Sequence, residues 1–343
     1  MAAVRRQLRG LRRRWYLSLV VHFTRHSVRT GLWRAAVLLA VAVLVPAERV
    51  VAQTLEGSLV VFNAGSLAQP FRELLRAFHQ RHPRVVPAQE NSGSVEAARK
   101  LTELGKIPDV LGVADYNVIP ALLVPRFTTW YVTFARNAMV LAYRPDSRGA
   151  SEITSDNWWR ILLRPGARTG RSDPALDPNG YRVLMVAQLA ERHYRERGLA
   201  ARLLRAMPSR FMRPKEADLT ALLQAGELDY IWTYRSIAET NGLQYVPLPA
   251  QVDLSDPRRA DSYAAAVVRV PRSKPGDRDS VPFRGEPILY ALTVPANAPH
   301  PSTAVAFVRF VLSAEGAAIL RRNGFLVERP TIGGPGRPPP GVP

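Results

Sequence analysis

Residues Ser58–Pro70, SLVVFNAGSLAQP, decide how the rest of the chain is read. An apolar run from Leu59 to Phe62 ends in Asn63-Ala64-Gly65-Ser66, and Leu67, Phe71, Leu74, Leu75 and Phe78 then recur at helical spacing. The pattern is a buried strand, a turn of small residues and an amphipathic helix. A helix start has main-chain N–H groups without intrahelical partners and a partial positive charge, so a turn free of bulky side chains there suits an anion. Taken alone, Ser66 is equally an ordinary helix cap.

A second turn of the same kind lies downstream. Val85-Val86 opens an extended segment that ends in Asn91-Ser92-Gly93-Ser94, and a helix is expected from about Val95 to Leu104. Asp109–Val113 reads as a third buried strand, followed by a short helix near Val118–Leu123. Alternating strands and helices imply an α/β fold with a parallel sheet covered on both faces, in which ligands sit beyond the carboxyl ends of the strands. Gly65-Ser66 and Gly93-Ser94 both fall at such ends.

The 343 residues exceed one typical core, so two lobes are expected. Thr129–Tyr143, TWYVTFARNAMVLAY, reads as two strands, the second entering another lobe near Asn137. Helices are expected at Asn157–Leu163, Tyr181–Arg197, Leu199–Met207 and Ala217–Ala225, with a strand at Asp229–Thr233. Extended segments at Ala264–Val270 and Ile288–Val294 and helices at Ser302–Leu312 and Ala314–Arg322 return the chain to the first lobe. Two crossings make a hinge that can close on a ligand. The expected organisation is lobe 1 from 55 to 136, lobe 2 from 137 to 250, lobe 1 again from 251 to 329, and a disordered Pro/Gly-rich tail from 330 to 343.

The N-terminus reads as an address. Residues 1–34 carry nine Arg and no acid, and Ala35–Val45 is an unbroken apolar run of eleven residues. That is short for a bilayer span and suited to a signal-peptide core. Val50-Val51-Ala52 supplies small residues before a cut, so residues 1–52 are expected to be a signal peptide of an exported protein, acting in the periplasm or at the outer face of the cytoplasmic membrane. Of the formal charge of +19, about nine units lie in this segment. The remaining Arg are scattered rather than packed into a stripe, which argues against nucleic-acid binding. The chain has no Cys, hence no disulfide and no thiolate metal site.

In the second lobe Ser172–Arg182, SDPALDPNGYR, feeds a helix with Asp177 at its start, and Arg213–Asp218, RPKEAD, places Glu216 at another. Each acid can be a plain cap. An exported serine hydrolase is disfavoured, since neither Ser66 nor Ser94 lies in a G-x-S-x-G elbow or has a His placed by a known pattern. No enzyme activity is expected.

The strings SLVVFNAGSL, NSGSV, LGKIPDVLGVADYNVIP, WYVTFARNAMVLAY, SDPALDPNGYR, RPKEADLTALLQAGELDYIWTYRS and LSAEGAAILRRNGF, in this order, closely resemble the tungstate/molybdate-binding proteins of ABC importers, in their archaeal-type branch. The resemblance runs from about Leu59 to Phe325. It implies a type II periplasmic-binding-protein fold, two α/β lobes on a two-crossover hinge with the oxyanion in the cleft. It also implies a monomer that hands tungstate or molybdate to a membrane permease and uses no cofactor. By the same resemblance, Gly65, Ser66 and Ser94 contact the ligand from the first lobe, and Asp177, Pro178, Asn179, Glu216 and Tyr234 from the second. Asp177 and Glu216 would be ligands to the tungsten or molybdenum centre, expanding it from four to six oxygens. Ser66, Ser94 and main-chain N–H groups would donate to the oxo groups, supported by Tyr234. The alternative is another small oxyanion, sulfate-like, on the same fold. Two departures from the family pattern are Asn63, where His is expected, and Asn179, where a small residue or Cys is common.

Overall fold

The computed structural model describes residues 55–273 and 276–342, so the expected signal peptide lies outside the described residues. Apolar residues of the opening strand β1 (Gly57–Ala64) bury Leu59 and Val61, and helix α1 (Ala68–Arg81) lays Phe71, Leu74, Leu75 and Phe78 over the sheet. The same unit repeats as β2 (Val85–Ser92) with α2 (Ser94–Thr102), then β3 (Val110–Val113) with α3 (Val118–Leu122). Strand β1 pairs in parallel with both β2 and β3, which puts the two small-residue turns side by side at one edge of the sheet. Strand β4 (Tyr131–Arg136) completes this stretch.

The chain then crosses at Asn137 into a second sheet. Its elements are β5 (Met139–Tyr143), α4 (Trp158–Leu162), β6 (Thr169–Ser172), α5 (Pro178–His193), α6 (Leu199–Ala206), β7 (Met212–Arg213), α7 (Ala217–Gln224), β8 (Tyr230–Tyr234), α8 (Arg235–Thr240) and β9 (Gln244–Pro247). The strand order is β7-β6-β8-β5-β9, with β7, β6 and β8 parallel and β5 antiparallel to both its neighbours. Trp158 packs edge-on against Trp232 at 5.4 Å, an apolar centre that the Trp-rich segment of the sequence supplies.

The return crossing lies beside the first, where the Met139 N–H donates to the Asp253 carbonyl at 2.9 Å. After α9 (Ala260–Tyr263) comes an antiparallel hairpin of β10 (Val267–Pro271) and β11 (Ser280–Arg284). Strand β12 (Leu289–Thr293) then inserts between β3 and β4, antiparallel to both. Helices α10 (Pro301–Val311) and α11 (Ala314–Arg322) cover the first sheet, with Phe307 edge-on to Phe71 and Phe78 at 6.1 and 5.4 Å.

The end of the chain departs from expectation. Strand β13 (Leu326–Gly333) pairs with β4, so residues 330–333 are sheet rather than disordered tail. Pro330 has no N–H to give to the ladder, and the pairing shifts register between Val327 and Thr331, where the strand bulges past it. Beyond it, Arg309 donates to the Pro340 carbonyl and Val342 is buried. The proline-rich composition signalled a lack of regular structure, but β4 offered an unpaired edge and α10 an arginine, and both are met by this segment.

Candidate functional site

The two lobes meet at the carboxyl ends of their strands. The β1 turn places Gly65 directly opposite Glu216: a Cβ on Gly65 would stand 3.4 Å from both carboxylate oxygens. Gly93, after β2, is tighter still. A Cβ there would fall 2.2 Å from the Leu176 carbonyl oxygen and 3.0 Å from Asp177 Cβ, so only glycine permits this approach of the lobes. Residues Ser66 and Ser94, each next to one of these glycines, are thereby brought to the junction that holds Asp177 and Glu216. Ser94, Asp177 and Glu216 are fully buried and Ser66 nearly so.

The acids are not caps. Asp177 and Glu216 stand at the starts of α5 and α7, yet neither side chain accepts a capping bond from its own helix. Instead the Glu216 N–H donates to Asp177 Oδ2 at 3.0 Å across the two loops. Asp177 Oδ1 and both Glu216 carboxylate oxygens are buried without a hydrogen-bond partner among the described residues. Burial first, and the charge of Glu216 second, push the Asp177 carboxyl well above the usual range. Three unpartnered carboxylate oxygens in one place are costly unless something else is meant to occupy them.

The serine hydroxyls are already acceptors. Ser94 Oγ accepts from the Ala114 N–H at 3.0 Å, and Ser66 Oγ accepts from the Tyr290 hydroxyl at 2.9 Å. Each serine therefore has its own hydrogen free to donate. The main-chain donors at the start of α2 are used differently from what the sequence suggests: the Val95 and Glu96 N–H groups both donate to the Leu176 carbonyl at 3.1 Å, joining the lobes. Arg99 adds a bond of 2.9 Å to the Ala175 carbonyl.

Of the other expected residues, Tyr234 ends β8 and is fully buried; its hydroxyl accepts from Arg182 at 2.8 Å, and burial raises its pKa well above the ordinary value. Pro178 is the first residue of α5, where its lack of an N–H is harmless. The Asn179 side chain turns into its own lobe, meeting Ser172 Oγ at 3.3 Å and Met139 Sδ at 3.8 Å.

Several important residues escape a reading of motifs. Arg182, wholly buried, reaches from α5 to Asp115 of the first lobe at 3.2 Å and to the Ala114 carbonyl at 2.9 Å. Tyr181 donates to the same Asp115 at 2.6 Å. An arginine within the apolar run YRVLMVAQLA was the available signal, because a cation on a buried face needs a partner. Tyr290 had none, being a single polar group in a strand-like segment, and Asn137 was marked only as the point of crossing.

Fold and paired lobes together are those of a solute-binding protein. The chain belongs to the family of bacterial extracellular solute-binding proteins, which it matches over residues 59–326. It is 46% identical over 291 residues to an uncharacterized solute-binding protein of Petrotoga mobilis, covering 85% of this chain and 88% of that one. The molybdate/tungstate-binding protein WtpA of Pyrococcus abyssi is 36% identical over 292 residues, covering 77% of this chain and 83% of its own. Among solved structures, the sulfate-binding protein SubI of Mycobacterium tuberculosis H37Rv superposes with a TM-score of 0.56 at 15% identity, over 79% of this chain and 86% of that one. The periplasmic molybdate-binding protein of Azotobacter vinelandii gives 0.55 at 14% identity, over 79% of this chain and all of that one. The architecture is the type II periplasmic-binding-protein fold.

Proposed function

We propose that the chain captures tungstate or molybdate outside the cytoplasm and delivers it to the membrane permease of an ABC importer. The observation that carries this reading is the buried Asp177–Glu216 pair, with three unpartnered oxygens, the two of Glu216 lying against Gly65 of the opposite lobe. Two carboxylates repel the oxo groups of a dianion, and in a buried site that repulsion is strong. They become favourable only as oxygen donors to a hard, high-valent metal centre able to widen its coordination. Gly65, Ser66 and Ser94 would hold the oxo groups, and Asp177 and Glu216 would complete the metal at the opposite side. Pro178 and Asn179 would meet the ligand through the start of the helix that follows Asp177, and Tyr234 would support the donors to the oxo groups. Sulfur and phosphorus in sulfate and phosphate do not take on extra oxygen ligands, so the acids select against them.

The relatives named as molybdate/tungstate-binding support the same ligand class. Membership of an extracellular solute-binding family agrees with export, and a leader in residues 1–52 would supply it. Titration calorimetry of the mature chain tests the proposal. One tungstate or molybdate should bind per chain, with excess sulfate and phosphate failing to displace it. Equal competition by sulfate would remove the metal-ligand role of the acids.

A further inference from the structure

Asn137 lies where the chain first crosses between the lobes, and its amide orientation is determined by its neighbours. Its Oδ1 accepts from the N–H groups of Ala138 at 3.0 Å and Ser236 at 3.3 Å, both of which can only donate. Its Nδ2, which can only donate, therefore faces Ser236 Oγ at 2.7 Å and the Tyr290 hydroxyl at 3.3 Å. Having accepted from Asn137, Tyr290 has one hydrogen to give, and its neighbour at 2.9 Å is Ser66 Oγ. All four side chains are buried.

We infer that Asn137 and Tyr290 are positioning residues of the oxyanion site: Asn137 commits the Tyr290 hydroxyl to donate to Ser66 Oγ, which leaves the Ser66 hydrogen for an unprotonated oxygen of the ligand. The inference rests on the proposed role of Ser66 as an oxyanion donor. Without the relay, a serine hydroxyl can donate or accept, and its hydrogen can turn toward the Tyr290 oxygen instead of the ligand. The Ala114 N–H does the same for Ser94, so both serines are held as donors by different means. Asn137 also grips Ser236 in the second lobe, so the chain of bonds is complete only with the crossing in this geometry.

A double-mutant cycle with tungstate as probe tests it. S66A and Tyr290→Phe should each weaken binding about tenfold or more, the size of a hydrogen bond to a charged group. In the S66A background Tyr290→Phe should then cost nothing further, because Tyr290 acts only through Ser66. Losses that multiply, or an unchanged affinity in either single variant, overturn the relay. Asn137→Leu, uncharged and of similar size, gives a second handle: it removes the Nδ2 donor that commits Tyr290, and should weaken binding by itself while adding nothing to the S66A loss. Melting of each ligand-free variant separates folding from binding, since a purely structural role shifts stability without coupling to Ser66. A wild-type chain that binds neither tungstate nor molybdate overturns the proposed function as well. A wild-type chain that binds while the losses multiply overturns the relay alone.

Discussion

The main-chain N–H of Glu216 donates to Asp177 Oδ2 at 3.0 Å, which ties together the two loops that carry these buried carboxyl groups. Removing either acid removes a ligand from the proposed metal centre. Asp177→Ala and Glu216→Ala should each lower tungstate affinity by about 100-fold, about 2.7 kcal/mol, while ligand-free Glu216→Ala should melt higher than wild type because two unpartnered buried oxygens are gone. Calorimetry and thermal melting read the two effects; unchanged affinity in both variants would discard the six-oxygen arrangement.

The Asp177 carboxyl, pushed up by burial and by Glu216, should leave a pH signature on the ligand-free protein. Its pKa is higher folded than unfolded, so the folded state binds a proton that the unfolded state releases. The associated stability is full below the ordinary aspartate pKa, about 3.9, and is lost as pH rises toward the raised value, at up to about 1.4 kcal/mol per pH unit. Urea melts of wild type between the ordinary aspartate pKa and neutrality should show this decline relative to Asp177→Asn, which has no such proton to lose.

Gly93 admits the Leu176 carbonyl where a methyl group would collide with it. Gly93→Ala should fold normally, since its φ of −62° suits alanine, but should hold the lobes apart. Only the closed fraction would bind, and apparent affinity should fall by about tenfold or more. Small-angle scattering with saturating tungstate would report a less compact particle than wild type.

Arg182 and Asp115 form a buried ion pair between the lobes at 3.2 Å. Arg182→Met strands the Asp115 charge and should destabilise the protein by about 3–5 kcal/mol. Adding Asp115→Asn should recover much of this, because both charges then leave together. Denaturant midpoints of the two variants make the comparison, and equal midpoints would argue that Asp115 is satisfied without Arg182.

Much of this architecture was written into local patterns. Leu59 and Val61 in β1, and Phe71, Leu74 and Phe78 in α1, are buried where the apolar run and the helical spacing place them. The short strand β6 was missed because TGRS has neither length nor apolar alternation; it is strand because β8 lies beside it. Residues 330–333 were assigned to a tail on composition, whereas the open edge of β4 takes them up. At the site, the acids at the loop ends could be picked out, but their capping role could be excluded only by seeing that their oxygens make no capping bond.

The amino-acid order is enough to show the units: two small-residue turns after buried strands, two acids at helix starts, and an Asn at the point where the chain leaves one sheet for another. Strand and helix propensities, turn residues and hydrophobic period act over a few residues, so they are readable from a few residues. Which groups face each other emerges only from the packing of the two lobes. Ser66 accepts from Tyr290 224 positions away, and Asp115 pairs with Arg182 in the opposite lobe. Those partnerships follow from two sheets closing on each other, and the direction of each hydrogen follows from what its neighbours can donate or accept.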